Sequence, residues 1–581
     1  MMELLLLFVI FFPLAALSGF LIPSWRQGLR VLAPWTALPA VLMAAYTSPA
    51  KPVDISFMLL NARLGMDATG RVFLGFTALI WLIAGIYAVS YLRNKKSASQ
   101  FFLFYLLTLC GNLGLILAHD LVSFYFFFAL MSFSAYGLVI HSGTAAAHHA
   151  ANVYIVLVLV GEILIFSGSV IAANAAQTLS FTDLPLKIAD SSSRDLIIGL
   201  FLLGFGIKAG ALPLHVWLPL AHPVAPTPAS AVLSACMIKA GLLGWLRVLP
   251  LGEIPLVGWG EAMIIVGLLA AFYGVFVGLT QDNSKTVLAY SSISQMGIMT
   301  LAVGAGLRSP DVWPVCWASL MIYATYHALT KSALFLSVGI AGMKISSEPL
   351  RILRLAALLL PALAMVAAPF TIGAAAKGLL KYPLLEAVQE AHWKEGLSFL
   401  LDLSSAATTL LIARFLLLVW PQRNKETEKV PMQAGVLAAW SLSVLLVGVL
   451  ALLVKMPSVA ASAGEYAYLP IGWKSFLPAI LAAAAAFAVV RLGLRKPFAI
   501  APGDLIVVYL KLLTPCRQWA MKLSDAIARI SENGKLVLFT RCSFLWRPKW
   551  EAMIRFDRAL ESWPVLGTVF LTLMIVFFLI S

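Results

Sequence analysis

Charged residues are scarce in this sequence. Only 12% of its 581 residues are Asp, Glu, Lys or Arg, and 61% are hydrophobic, whereas soluble domains carry about 25% charged residues. That shortage excludes a soluble globular chain. Cysteine is scarcer still: Cys110, Cys236, Cys316, Cys516 and Cys542 are scattered, with no CxxC. They frame neither an iron–sulfur cluster nor a zinc site. No GxGxxG stands between a strand and a helix, and there is no Walker loop. Nothing points to ATP hydrolysis or to a redox cofactor held by this chain. Alternating strands of about 10 residues, the mark of a membrane barrel, are missing as well.

What the sequence has instead is a succession of apolar runs of about 20 residues, the length that spans a bilayer as a helix. They fall near 3–22, 28–46, 71–92, 101–118, 121–140, 152–173, 194–212, 229–249, 260–280, 285–305, 313–342, 352–380, 397–420, 434–454, 473–493 and 563–580. The fold class is therefore an all-α polytopic membrane protein of about sixteen transmembrane helices. The start, MMELLLLFVIFFPLAALSGFLIP, has Glu3, no positive n-region and no AxA-like site, so it reads as the first spanning helix rather than a signal peptide.

The net charge is +15. The basic residues cluster in short loops, where they set orientation. Arg26, Arg30, Arg93, Lys95, Lys96, Lys344, Arg351, Arg354, Arg423, Lys425, Lys429, Arg491, Arg495 and Lys496 all fall on one side if the spans alternate. That side is cytoplasmic, and both termini face outward. Between the last two spans, residues 501–562 mix apolar and basic positions. Met521, Leu523, Ile527 and Ile530 alternate with Lys522, Asp525 and Arg529 at roughly helical spacing, which suits a lateral amphipathic helix resting on lipid or on neighbouring subunits.

Against this background, ionisable residues inside the spans stand out: Glu162, Lys208, Lys239, His327, Lys331, Lys377, Asp402 and Arg414. A charge at the centre of a spanning helix costs about 2.5–3.5 kcal/mol on insertion scales, and such residues mark ion paths. For Asp402 and Arg414 a local ion pair explains the residue equally well. Lys208, Lys239 and Lys377 sit mid-segment beside small residues. Lys208 is followed by Gly210 and Pro213, and Lys377 is preceded by Pro369 and Gly373. The two interrupted segments lie five spans apart, the signature of inverted repeats with broken helices. The physical logic is proton relay, because burial and a neighbouring carboxylate act on a lysine's proton in opposite directions. His215, His222 and His327 add groups that titrate near neutrality without tuning. These ingredients also suit a solute transporter, so the chemistry alone says ion pathway.

The stretch KAGALPLHVWLPLAHPVAPTPASAVLSACMIKAGLLG, with QDNSKTVLAYSSISQMG and YHALTKSALFLSVG, resembles the antiporter-like subunits of respiratory complex I. Membrane-bound hydrogenases, formate hydrogenlyase and multisubunit Na+/H+ antiporters share that family. The resemblance covers about residues 55–420. The lateral helix and last span make the chain most similar to the distal, largest complex I subunit and its hydrogenase-type relatives. The resemblance implies that Lys208 is the central lysine of the first broken helix and Lys239 the bridging lysine. It implies that His327 and Lys331 link two half-channels and that Lys377 belongs to the second broken helix. His215, His222 and Asp402 are supporting residues. One position departs: the family usually has a glutamate in the fifth span, where this chain has Ala129 in DLVSFYFFFALMSF. Either Glu162 stands in, or a partner subunit supplies the acid, or the first half-channel is inactive.

The expected organisation is N-terminal helices over 1–100, a first inverted repeat over 101–250, and a second over 258–420. Accessory helices follow over 430–500, the lateral helix over 501–562 and a last span over 563–581. The expected function is proton translocation within a complex I-like or hydrogenase-like complex in a prokaryotic cytoplasmic membrane. No cofactor, metal or catalytic residue is expected on this chain, and the other membrane subunits and the lipid bilayer are its partners. A partner of a bicarbonate-uptake protein, a subunit of a multisubunit Na+/H+ antiporter and a non-conducting spacer remain alternatives.

Overall fold

The computed structural model describes residues 2–506 except 21, 60, 342, 345–347, 389, 420–429, 432, 454–479 and 485–499. The lateral helix and the last expected span lie outside the described residues, as does most of the span expected at 473–493. The chain divides into two units, Met1–Pro502 and Gly503–Ser581.

The first unit is helical. Its N-terminal part holds α1 (Met2–Gly19), α2 (Arg26–Leu32), α3 (Leu38–Tyr46) and α4 (Ala68–Tyr91). Then come α5 (Ala98–Leu117), α6 (Leu121–Ile140), α7 (Ala145–Ala176), α8 (Leu184–Ala189), α9 (Arg194–Ala209), α10 (Trp217–Val224), α11 (Thr227–Val232) and α12 (Ile238–Val248). The series closes with α13 (Val257–Leu279), α14 (Ser284–Arg308), α15 (Trp313–Ala341), α16 (Glu348–Met365), α17 (Ile372–Glu386), α18 (Ala391–Val419) and α19 (Ala434–Leu453). Ten of the described helical segments are long and apolar enough to cross a membrane. The chain is a multi-pass membrane protein.

The expected spans absent from those ten are informative. The 194–212 segment stops at Ala209, where Gly210 turns left-handed at φ +68°, a conformation that costs glycine nothing. The 352–380 segment breaks between Met365 and Ile372. Ala367 and Phe370 sit there at φ +60° and +65°, a strained geometry for residues with a Cβ that costs about 1–3 kcal/mol each. Helix α15 carries Tyr326, His327, Thr330 and Lys331 along its middle. The second expected span is among the ten, as one helical segment over Pro23–Tyr46 that takes a 3-10 turn at Ala33–Ala37 between α2 and α3.

In lipid every backbone donor at a helix start needs a partner, and the sequence supplies side-chain caps. Asp67 accepts from the Gly70 N–H at 2.7 Å and Asp120 from the Ser123 N–H at 2.8 Å. Asn283 accepts from the Lys285 N–H at 2.9 Å. The most extensive helix pair is α13 on α14. Gly260, Gly267 and Gly274 line one face of α13 at seven-residue steps, and a Cβ on Gly267 would stand 2.6 Å from the Gly297 carbonyl oxygen. Small residues let the two backbones close, which is how helices gain packing energy where no hydrophobic effect drives them together.

At one end of the bundle a hairpin of β1 (Val53–Ile55) and β2 (Ala62–Leu64) is pinned by charge. The Arg63 N–H donates to Asp120 at 2.8 Å, and the Arg63 guanidinium meets Asp54 at 2.9 Å. Beside it, Arg247 at the end of α12 grips Asp67 with two bonds, 2.5 and 3.0 Å. Burial pushes the Asp67 carboxyl up, but the Arg247 charge, its hydrogen bond and the Gly70 N–H outweigh that and hold it at about 2. Burial, and then the same Arg247 charge, lower His119 to about 4.

Candidate functional site

The first cluster forms where α7, α9 and α6 meet. Lys208 stands in the last turn of α9, an end that favours a cation. Its Nζ donates to the Tyr154 hydroxyl at 3.0 Å and lies 5.3 Å from that ring's centre. Tyr154 donates onward to the Ser132 carbonyl of α6 at 2.7 Å. Glu162, two turns beyond Tyr154 on α7, lines the same small cavity as Lys208, Phe128 and Ser132. Its volume is about 10 Å³, room for one water at most. Glu162 is 4% exposed and Lys208 3%, yet Glu162 Oε2 has no hydrogen-bond partner. A buried carboxylate oxygen left this way needs a reason. Of the two expected positions on α6 and α7, Glu162 faces the cavity and Ala129 does not line it.

The second cluster lies on α12, α14 and α15. Between α11 and α12 the chain takes one π-helical turn, Leu233–Met237, a local widening that recurs at functional sites. Here it leaves the Ser234 carbonyl to accept from Lys239 Nζ at 3.0 Å. The Ser234 hydroxyl meets the Ser292 hydroxyl at 2.8 Å, and Ser292 donates to the Leu288 carbonyl at 3.0 Å. Lys331 Nζ donates to that same carbonyl at 2.9 Å. A thread of hydrogen bonds thus joins Lys239 to Lys331 through the body of α14. His327, one turn before Lys331, is fully buried, and neither ring nitrogen has a hydrogen-bond partner. It lies within electrostatic reach of Lys239, Lys331 and Lys377.

The third cluster sits past the break between α16 and α17. Thr371 caps α17 by accepting from the Ala374 N–H at 3.4 Å. Lys377 and Lys381 of α17, Asp402, Ser404 and Ser405 of α18, and Tyr323 of α15 line a cavity of about 90 Å³. Lys377 Nζ lies 3.5 Å from the Ser405 hydroxyl, and Lys381 forms an ion pair with Asp402 at 2.6 Å.

His215 packs its ring 5.1 Å from that of Tyr273. His222 lies flat on Phe335, 4.6 Å between ring centres, with neither nitrogen hydrogen-bonded. It is within electrostatic reach of Lys285 and Lys331. Lys285 is a residue that sequence reasoning missed. It is buried and donates to the Ala225 carbonyl at the end of α10, at 2.6 Å. A signal was available: a cation in the first turn of a helix opposes the dipole, so its presence called for a partner. Arg414 resolves as a local ion pair, donating to Asp282 at 2.7 Å and to the Gln281 carbonyl. No group of residues able to hold a metal ion occurs among the described residues.

Comparison with known proteins bears on this arrangement. The sequence model of the NADH:quinone oxidoreductase/Mrp antiporter transmembrane family matches residues 118–399. Among curated proteins, hydrogenase-4 component B of Escherichia coli is 29% identical over 309 residues, 51% of this chain and 45% of that one. A putative antiporter subunit of Staphylococcus aureus is 30% identical over 334 residues, 54% of this chain and 41% of its own. The match thus spans about half the length of these relatives. Two solved structures share the fold at 20% identity. The Mrp complex from Dietzia sp. DQ12-45-1b aligns at a TM-score of 0.71 over 98% of this chain and 63% of that chain. The membrane-bound sulfane sulfur reductase, an archaeal respiratory membrane complex, aligns at 0.68 over 95% and 99%. Every ionisable residue of the three clusters except Asp402 lies within 118–399, the region that matches the NADH:quinone oxidoreductase/Mrp antiporter family model, and over that region the chain is similar to antiporter-like membrane subunits.

Proposed function

We propose that this chain carries protons across a prokaryotic cytoplasmic membrane as one subunit of a complex I-like or energy-converting hydrogenase-like complex. The redox centres lie on other subunits, and this chain supplies only the path. The observation that carries the reading is the row of buried and half-buried ionisable groups. Lys208 with Glu162, Lys239 with Lys331 and His327, and Lys377 with Asp402 place ionisable groups in three successive clusters. Two of those groups, Glu162 and His327, keep polar atoms free of hydrogen bonds. Unpaired ionisable groups in a bilayer are expensive unless they bind and pass an ion.

In this reading the chain has sixteen spans and two inverted repeats, 101–250 and 258–420, each with one broken helix that carries its lysine. The breaks after Ala209 and Met365 support the repeat. Glu162 takes the place of the acid missing at Ala129, because it shares the Lys208 cavity. A proton on Lys208 then passes to Lys239, crosses by way of His327 and Lys331, and reaches Lys377, with His215 and His222, both fully buried, as supporting groups. A Na+/H+ antiporter subunit is the second reading, favoured by the Staphylococcus aureus relative.

Affinity purification of the tagged chain from its native membrane tests the partner. Redox subunits in the purified complex support the first reading, and antiporter subunits alone support the second. Proton uptake by sealed vesicles carrying the intact complex tests the path. Lys377→Ala is expected to reduce uptake by a factor of about 10² with assembly intact. Unchanged uptake would leave the chain as a spacer.

A further inference from the structure

The Lys377 cavity holds more charge than a single relay lysine requires. Lys377 and Lys381 stand four residues apart on α17, so both ammonium groups leave one face of the helix, and like charges at that spacing repel. Helix α18 answers with Ser405 and Asp402, three residues apart and therefore also on one face. The four side chains form two neighbouring rungs. Lys377 reaches Ser405 at 3.5 Å, and Lys381 reaches Asp402 at 2.6 Å. The first rung is long and joins a cation to a neutral hydroxyl, while the second is a short ion pair. All four residues line the same cavity of about 90 Å³, which has room for several waters. The rungs lie about one helical turn apart, roughly 5.4 Å, a distance a lysine's four-carbon stem covers by changing rotamers.

We propose that Asp402 is a shared counter-ion exchanged between Lys377 and Lys381, with Lys381 the positioning residue that takes the carboxylate away from Lys377 when Lys377 releases its proton. This exchange rests on the proton-transfer function proposed for the chain. In the arrangement observed, Asp402 pairs with Lys381, and Lys377 lines the cavity, which has room for water. Lys377 in its ammonium form gives one proton to that water and becomes a neutral amine. The Asp402 carboxylate keeps its charge throughout and stays paired with the Lys381 ammonium. When the next proton arrives on Lys377, the new ammonium competes for Asp402, and the pair with Lys381 opens. Ser405 holds the Lys377 amine in place meanwhile.

The test compares proton uptake per turnover in sealed vesicles carrying the intact complex. Asp402→Asn removes the shared charge. Lys381→Arg keeps a cation opposite Asp402 but holds the carboxylate with a planar two-bond fork that does not let go as readily. Both are expected to lower uptake several-fold, while Asp402→Glu retains most of it. A merely structural ion pair would be preserved by Lys381→Arg, so wild-type uptake in that variant overturns the proposal even if Asp402→Asn does not assemble. Lys377→Ala in the same assay separates the two levels. If it abolishes uptake while Lys381→Arg is harmless, only the exchange is wrong. If it too is harmless, the proton reading of this half fails, and the exchange with it.

Discussion

Glu162 keeps an oxygen without a partner while Lys208 donates past it to Tyr154. The two side chains share one small cavity, and a buried acid beside a buried lysine within a spanning region marks an ion path. Glu162→Gln is therefore expected to cut proton uptake strongly with assembly and redox turnover unchanged, measured in sealed vesicles. Unchanged uptake would make Glu162 structural. At the far end of the bundle, the charges around Arg247 predict stability rather than transport. The folded state holds His119 near 4 instead of the usual 6.5. Between those values the unfolded chain takes a proton that the folded chain refuses, so stability falls as pH drops from 6.5 to 4. A melting series of His119→Gln should lose that part of the pH dependence. Asp67 behaves oppositely in timing. Its carboxyl is depressed to about 2, so its contribution is complete above 3.8 and is lost only as pH falls towards 2. Which residues were legible follows the same physics. Lys208, Lys239, Lys331 and Lys377 stand out because apolar residues surround them in the chain. Lys285 and Lys381 escaped notice because one starts a helix and the other lies near the end of one, where a lysine usually snorkels.

The helices themselves were mostly written in hydropathy, and their interruptions only partly so. Gly210 and Pro213 announced the break after α9, and Gly373 the one before α17. The π turn at Leu233–Met237 has no counterpart in the composition of LSACM. Inside that turn the Ser234 hydroxyl meets the Ser292 hydroxyl of α14, a partner far away in sequence. The 3-10 turn inside the second span was not legible although Pro34 and Pro39 mark it, because their neighbours keep the run apolar. The glycine face of α13 carries a prediction at this scale. Gly267→Ala places a Cβ 2.6 Å from the Gly297 carbonyl oxygen, and backbone cannot rotate away as a side chain would. The cost is expected to be about 1–3 kcal/mol, read as a lower unfolding temperature in detergent. Gly258→Ala, with nothing within 4 Å, serves as the neutral control.

For the molecule as a whole, ionisable groups recur from α7 to α18, and the hydrogen-bond thread through α14 joins Lys239 to Lys331 at the middle of the row. The sequence showed the lysines and the resemblance to antiporter-like subunits. It did not reveal the thread, because serine hydroxyls and carbonyl oxygens carry no mark in a hydropathy trace. The measurement that tests the proposed path most directly is proton uptake per redox turnover by vesicles carrying the intact complex with Lys331→Met, a change that keeps length and removes the ionisable group. A working path predicts normal assembly and turnover, with uptake through this subunit lost. Full uptake in an assembled Lys331→Met complex would contradict it, because the ionisable group at the Lys331 end of the thread from Lys239 would then be dispensable.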